Sequence, residues 1–515
     1  MGAVRADESE PARRLAASVL DAAASASPGR STQLLESCDE MFYETKLDPF
    51  LFADESTFPL RYFYCAEHYQ PSGPIFFYPG GSADVTTYVN TTGLMWENAE
   101  QFGALLVFAE HRYFGASQPF DDATVAGAVA RDEVEGLLER LAWLTTEHAM
   151  ADHAGLLYAI KERLGDRYAP TIAFGGIYSG LQAAWLRAKY PHLVDGAIVS
   201  SAPVGAFAYG DALYAGSAQT ALNVSLDDTF GDTSERYSCA ANLAAAWAVV
   251  RKRAATPEGR AGLVEAFGLC AADSQLVGGR KRFASILEVW IQEAINSVLS
   301  GNFAAVDRLF GGRYLPSNKL EAVCEAMAAA DATATGTNGT SLVEGLAQVV
   351  GIVYNATGTE SCVDWFSILS DDRLRWFYLS CDSLFVHATQ LTASPFASTV
   401  ESCETSWGFV PDASRAYVSF GGYDFDSGVS DILFSSGELD PWRSSYVVTN
   451  LSDSLVALTI PGETVIADLT FSTPDDSQHL IDARQVEMRW VERWIAQRRA
   501  ARPSPSGSAP APSSG

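Results

Sequence analysis

The sequence predicts an α/β fold, a mostly parallel sheet with flanking helices, opened in its middle by a mostly helical insertion. Three observations predict it. Short continuous apolar runs alternate with helical stretches from Pro74 onward, the alternation stops near residue 206, and strand-like runs resume after residue 428. Strands buried on both faces of a parallel sheet read as unbroken apolar runs, so the alternation is that of a doubly wound sheet. At 515 residues the chain is also longer than a single core usually grows, which favours one large domain carrying a second.

The strand candidates, in order, are Pro74–Tyr78, Leu105–Ala109, Thr171–Phe174, Gly196–Ser200, Asp431–Phe434 and Leu455–Ile460. Helical patterns fall between them at Val134–Thr146, His148–Leu164 and Leu181–Tyr190, and close the fold at Ala483–Arg499. Within the interruption the helical stretches are Cys239–Arg253, Phe283–Leu299, Leu320–Ala330 and Ser341–Tyr354. The division that follows assigns 34–205 and 428–499 to the sheet domain and 206–427 to a helical cap; a second helical domain with no part in the site is the alternative. Residues 1–33 and 500–515, rich in small and polar residues and proline, are expected to be disordered.

Lys and Arg number 35 against 63 Asp and Glu, a net charge of −28, so the surface repels phosphate backbones and anionic membranes. Nucleic acid and membrane partners are thereby disfavoured, and no run reaches the roughly 18 apolar residues of a membrane span. The eight cysteines include no C-x-x-C pair of the zinc or thioredoxin kind. Sequons stand at Asn90, Asn223, Asn338, Asn355 and Asn450, half of the ten asparagines. Paired cysteines and sequons point to a secreted or lysosomal/vacuolar protein. The first 33 residues oppose that expectation: charged Arg5, Glu8, Glu10, Arg13 and Arg14, with Asp21 inside the most apolar stretch, make no clear signal peptide.

The segment that carries the chemistry runs Thr171-Ile-Ala-Phe-Gly-Gly-Ile-Tyr-Ser-Gly180 into a helix. Strand, small-residue turn and helix in direct succession describe a nucleophile elbow, whose tip is strained and whose flanking residues are small so that strand and helix can approach. Residue 177 is the tip, and it is isoleucine. A sec-butyl side chain has no proton to lose and cannot attack a carbonyl. A β-branched residue at positive φ also costs about 1–3 kcal/mol, which favours relaxation of the elbow into an ordinary turn.

Around this elbow the chain resembles the serine exopeptidase family of lysosomal Pro-Xaa carboxypeptidase, dipeptidyl peptidase II and thymus-specific serine protease. The family's elbow reads Gly-Gly-Ser-Tyr-Gly-Gly where this chain has Gly175-Gly-Ile-Tyr-Ser-Gly180. Further resemblance lies in Ile75–Gly81, Trp96–Ala99, Phe108–Gly115, Leu186–Val194, Ser200–Val204, Phe434–Trp442 and Gln478–Asp482. It implies an α/β-hydrolase fold and serine-type cleavage of peptides beside proline, with a peptide as substrate or ligand. A homodimer is left open.

By the same resemblance Asp440 and His479 occupy the triad's acid and histidine positions, after a nucleophile position held by Ile177. That is the α/β-hydrolase order. The backbone N–H of Tyr178 and one from Gly80-Gly81 would be the oxyanion donors. The family has Asn-Glu after the first loop glycine, where this chain has Gly81-Ser82, and its loop before the histidine, Gly462–Ser477, is longer. Ser179 is the candidate substitute nucleophile, but it falls in a first helical turn, where serine more often bonds backbone than reaches a base. Two readings follow: an exopeptidase, or an inactive homologue that binds peptides without cutting. Triad chemistry needs no cofactor, and no metal cluster is apparent; His148 and His153, five apart, read as ordinary helix residues. Trp376–Ser383 reads as cap or pocket wall, with a disulfide-anchored cap segment an equal reading.

Overall fold

The computed structural model describes residues 34–120, 134–207, 234–270, 340–355, 371–384, 400–421, 428–440 and 442–502, with Phe425 and shorter stretches within 283–328 and 360–365. The end segments 1–33 and 503–515, and much of the insertion, lie outside them.

Eight strands form one sheet: β1 (Asp39–Lys46), β2 (Thr57–Cys65), β3 (Ile75–Pro79), β4 (Leu105–Ala109), β5 (Thr171–Gly176), β6 (Gly196–Ser200), β9 (Ile432–Gly437) and β10 (Leu455–Ile460). A separate two-stranded hairpin pairs β7 (Asp307–Leu309) with β8 (Arg313–Leu315). The sheet order is β1-β2-β4-β3-β5-β6-β9-β10. From β4 to β10 all neighbours are parallel, whereas β2 runs antiparallel to both β1 and β4. A parallel sheet bordered by an antiparallel pair, with the elbow leaving its fifth strand, is the α/β-hydrolase arrangement.

Helices α1 (Val85–Thr91), α2 (Gly93–Phe102), α3 (Val134–Leu141), α4 (Thr146–Leu164) and α5 (Ile177–Lys189) belong to the first part of the sheet domain. The insertion contributes α6 (Ser234–Ala254), α7 (Pro257–Ala266), α8 (Lys319–Ala328), α9 (Thr340–Tyr354), α10 (Asp371–Asp382), α11 (Val400–Trp407) and α12 (Arg415–Phe420), and α13 (Gln478–Ala500) ends the described chain.

Every residue of β3, β4, β5, β6 and β9 is buried, because helices cover both faces. One apolar cluster packs α4 and α5 onto one face, and another packs α1, α2 and α13 onto the other. Residues 239–365 build a third cluster of their own around Trp290, Val343 and Leu346, while α10 to α12 pack into the sheet's core through Tyr378, Trp407 and Phe420. Disulfides join Cys38 to Cys65, Cys239 to Cys324, Cys270 to Cys362 and Cys381 to Cys403.

The β4–α3 connection fixes the sheet to its surroundings through Glu110, His111 and Arg112, all fully buried. Glu110 accepts from Arg61 and from the N–H groups of Val85, Ala116 and Ser117. Arg112 pairs with the equally buried Asp152 at 2.7 Å and donates to the carbonyls of Leu47 and Trp143. A buried ion pair is tolerated only with its remaining donors satisfied in this way.

Candidate active site

The tip of the elbow keeps its strained geometry. Ile177 has φ 55°, in the left-handed region, and opens α5 directly after β5. The sequence-based expectation of relaxation is therefore corrected: packing around the turn outweighs the local cost of a β-branched residue at positive φ. Three glycines show why. A methyl group on Gly175 would stand 2.2 Å from the Ser179 carbonyl oxygen, one on Gly176 2.6 Å from Ile466 Cγ2, and one on Gly180 2.9 Å from Ala202 Cβ. Strand and helix thus touch through backbone on both sides of the tip, and no side chain would fit between them. From Thr171 to Leu186, Ile177 alone is partly exposed. The isoleucine stands at the one point of the turn that is open.

Beneath the tip, Tyr178 is buried, and its hydroxyl lies 3.0 Å from His111 Nε2 and 3.1 Å from Thr146 Oγ1. His111 Nδ1 lies 2.8 Å from the Arg112 carbonyl, so Nδ1 carries the proton and Nε2 accepts from Tyr178. Burial pulls His111 down to about 3 and His153 to about 4, so both rings are neutral. Burial pushes the Tyr178 phenol above its ordinary value. The Trp376 ring packs against Tyr178 with centroids 5.1 Å apart, and Ser383 Oγ accepts from the Thr146 N–H. The Trp376–Ser383 segment therefore borders the elbow, and Cys381 within it is bonded to Cys403. Ser179 is buried, and its Oγ and the Tyr88 hydroxyl both border Gly81.

Of the expected oxyanion groups, the Gly80 N–H donates to the Ala109 carbonyl, and the Gly80 carbonyl accepts from Gln182 Nε2. Gly81 faces Tyr88 and Ser179: a methyl group on it would stand 2.6 Å from the Tyr88 hydroxyl oxygen and 2.9 Å from Ser179 Oγ.

Asp440 is buried in the turn after β9. Its Oδ1 accepts from the Trp442 N–H and the Tyr446 hydroxyl. Its Oδ2 has no partner, and burial raises the carboxyl to about 6. His479 lies in the first turn of α13, after the N-cap Ser477, and is exposed. No hydrogen bond or ion pair among the described residues joins it to Asp440.

The loop ahead of His479 instead turns inward. Ile466, at φ 48°, lays its side chain on Gly176 and donates its N–H to Ser201 Oγ. Two residues on, Asp468 accepts from Ser200 and Ser435, each at 2.6 Å, joining the ends of β6 and β9. Glu487 of α13 lies beside Asp468 fully buried, and burial holds it well above the usual carboxyl range.

Sequence reasoning missed Asp468, Glu487 and Ile466. Glu487 was legible, because Leu480, Ala483, Arg484, Glu487, Val491 and Trp494 mark one helical stripe that is buried throughout. Asp468 and Ile466 sit in an irregular loop with no periodicity to read. Of the sequons, Asn90 lies on α1 half-buried, Asn450 is exposed, Asn355 follows α9, and Asn223 and Asn338 lie outside the described residues.

Known proteins agree with this architecture. The family model for serine carboxypeptidase S28 matches residues 45–487. The lysosomal Pro-X carboxypeptidase of Mus musculus is 29% identical over 489 residues, covering 92% of each chain. That of Pongo abelii is 30% identical over 474 residues and covers 88% of each. The thymus-specific serine protease of Mus musculus is 28% identical over 494 residues, covering 88% of this chain and 86% of the relative. With strained elbow, sheet topology and a match running nearly end to end, this chain belongs to the serine carboxypeptidase S28 family.

Proposed function

We propose that the chain serves the S28 function, serine-type exopeptidase action on peptides beside proline, in a secreted or lysosomal compartment. The family match over residues 45–487 carries this reading. The retained elbow and the buried Asp440 support it, and four disulfides fit an oxidising compartment.

One observation favours a second reading for this chain: the partly exposed residue at the tip is Ile177, so no serine ester can form there. A triad without its nucleophile retains only about 10³- to 10⁴-fold over water, from binding and oxyanion stabilisation. The second reading is a homologue that binds peptide ends without an acyl-enzyme. Ser179 supplies no replacement, being buried within the first turn of α5 while the tip faces outward.

Assay of the purified chain and of Ile177→Ser with Pro-containing peptides separates the two. Turnover by the unmodified chain supports the exopeptidase. Binding without turnover, with cleavage gained in Ile177→Ser, supports the binding protein.

A further inference from the structure

Strand β10 ends the sheet, pairing with β9 alone among the described residues. In that parallel pair the Ile432 N–H donates to the Ser454 carbonyl and the Glu438 N–H to the Ile460 carbonyl, so the even-numbered residues of β10 face β9. Backbone groups alternate along a strand, which turns those of Leu455, Ala457 and Thr459 to the outer edge. A bare edge is a template for another strand, and natural sheets blunt it. Here the chain just before β10 covers its first half. The Leu455 carbonyl accepts from the N–H groups of Leu451 and Ser452, Ser452 Oγ accepts from the Leu455 N–H, and the Ala457 N–H donates to Asn450 Oδ1 at 2.9 Å. Among the described residues no hydrogen bond reaches the Ala457 carbonyl or the backbone groups of Thr459, so the second half of the edge is open.

The bond to Ala457 also fixes the Asn450 carboxamide. An N–H donates only to its oxygen, so Nδ2 points the other way, on an exposed residue followed by Leu451 and an exposed Ser452. The Asn-Leu-Ser sequon is thereby presented with its acceptor nitrogen outward. The other described sequons are held differently. Asn355 donates its Nδ2 to the Glu360 carbonyl at 3.2 Å and accepts the Glu360 N–H on Oδ1, and Asn90 stands half-buried in α1 with its Oδ1 enclosed.

We propose that Asn450 carries an N-linked glycan and that the sugar covers the outer edge of β10 beyond Ala457. This rests on the secreted or lysosomal reading of the compartment. The donor is a lipid-linked oligosaccharide diphosphate of the secretory pathway. Asn450 Nδ2 forms the bond to the sugar's C1, the C1–O bond to the diphosphate breaks, the lipid diphosphate leaves, and the transferase takes up one amide proton. Oδ1 is untouched in that exchange, so its bond to Ala457 persists and holds the first sugar beside the edge. Sugar bulk there excludes a second strand from the open backbone groups.

The test secretes the full chain from a glycosylating eukaryotic cell behind a cleavable leader, releases glycans with peptide-N-glycosidase in heavy-oxygen water, and maps the peptides. Asn450 should read as aspartate carrying heavy oxygen. Asn450→Asp lacks Nδ2 but keeps an oxygen for Ala457, and Ser452→Ala keeps the asparagine but breaks the sequon. Each should be lighter by one glycan and, by light scattering at rising concentration, at least about threefold more associated than the parent. Ser452→Thr, still a sequon, should match the parent on both counts. Should a variant not fold, enzymatic removal of the glycan from the folded parent carries the same comparison. An unmodified Asn450 in the secreted chain overturns the proposal, whichever other sequon is occupied. Glycan loss with association unchanged overturns the covering of the edge. If the leader-borne chain carries the glycan at Asn450 while the chain isolated from its source cells carries none at any sequon, the site stands and the compartment reading fails.

Discussion

His111 Nε2 and the Tyr178 hydroxyl lie 3.0 Å apart directly beneath the elbow, joining the loop after β4 to the residue after the tip. The ring is neutral in the folded chain, held down to about 3 by burial, whereas unfolded it titrates near 6.5. The unfolded chain therefore binds the extra proton between those values, and stability contributed by this residue falls as pH drops from about 6.5 toward 3. His111→Gln cannot titrate. Urea unfolding should show it less stable than the parent at pH 7, by about 1–2 kcal/mol for a perturbed buried hydrogen bond, with the gap closed or reversed by pH 4 at about 1.4 kcal/mol per pH unit below 6.5.

Asp440 has the opposite sign. Its folded carboxyl is raised to about 6, against about 3.8 unfolded, so the folded chain holds the proton more tightly. Its contribution is fully present below about 3.8 and lost as pH rises through 6. Asp440→Asn should therefore gain on the parent between pH 4 and pH 7, by up to roughly 3 kcal/mol at about 1.4 kcal/mol per pH unit. Paired unfolding curves at the two pH values measure it.

Arg112 and Asp152 are both fully buried and tie β4's loop to α4. Asp152→Ala strands the guanidinium without its carboxylate. A loss of about 3–5 kcal/mol is expected, visible as a lower unfolding midpoint in urea.

Ile177 stores strain that glycine would not. At φ 55° a β-branched residue costs about 1–2 kcal/mol relative to glycine, and its side chain is only partly buried. Ile177→Gly should leave the chain as stable or up to about 1 kcal/mol more stable, unlike Gly175→Ala, where the added methyl meets backbone at 2.2 Å and stability falls. Thermal unfolding of the two variants tests the contrast.

The parallel strands were legible because burial on both faces writes itself as runs such as Leu105–Ala109, and the observed bounds of that strand are those read from the sequence. The hairpin of β1 and β2 was not, since Asp39–Lys46 is an edge strand with charged residues on an exposed face and lacks an apolar run. Helix α5 begins four residues earlier than its apolar pattern suggests, because Ile177 to Gly180 turn into it through the elbow's close backbone contacts. The elbow itself was readable from its glycines. Its retention of positive φ was not, because the forces that hold it come from Ile466, Ala202 and the helix backbone, distant or irregular in sequence. The inward turn of residues 463–469 likewise depends on Ser200, Ser201 and Ser435, three hydroxyls contributed by other strands and their ends.

The tip of the S28 elbow in this chain carries Ile177 and no nucleophile. Intact-mass spectrometry after incubation with a fluorophosphonate probe measures it directly, on the unmodified chain beside Ile177→Ser. No adduct is expected on the unmodified chain, and a single adduct at position 177 in the variant. An adduct on the unmodified chain, mapped to any hydroxyl of the elbow, would contradict it.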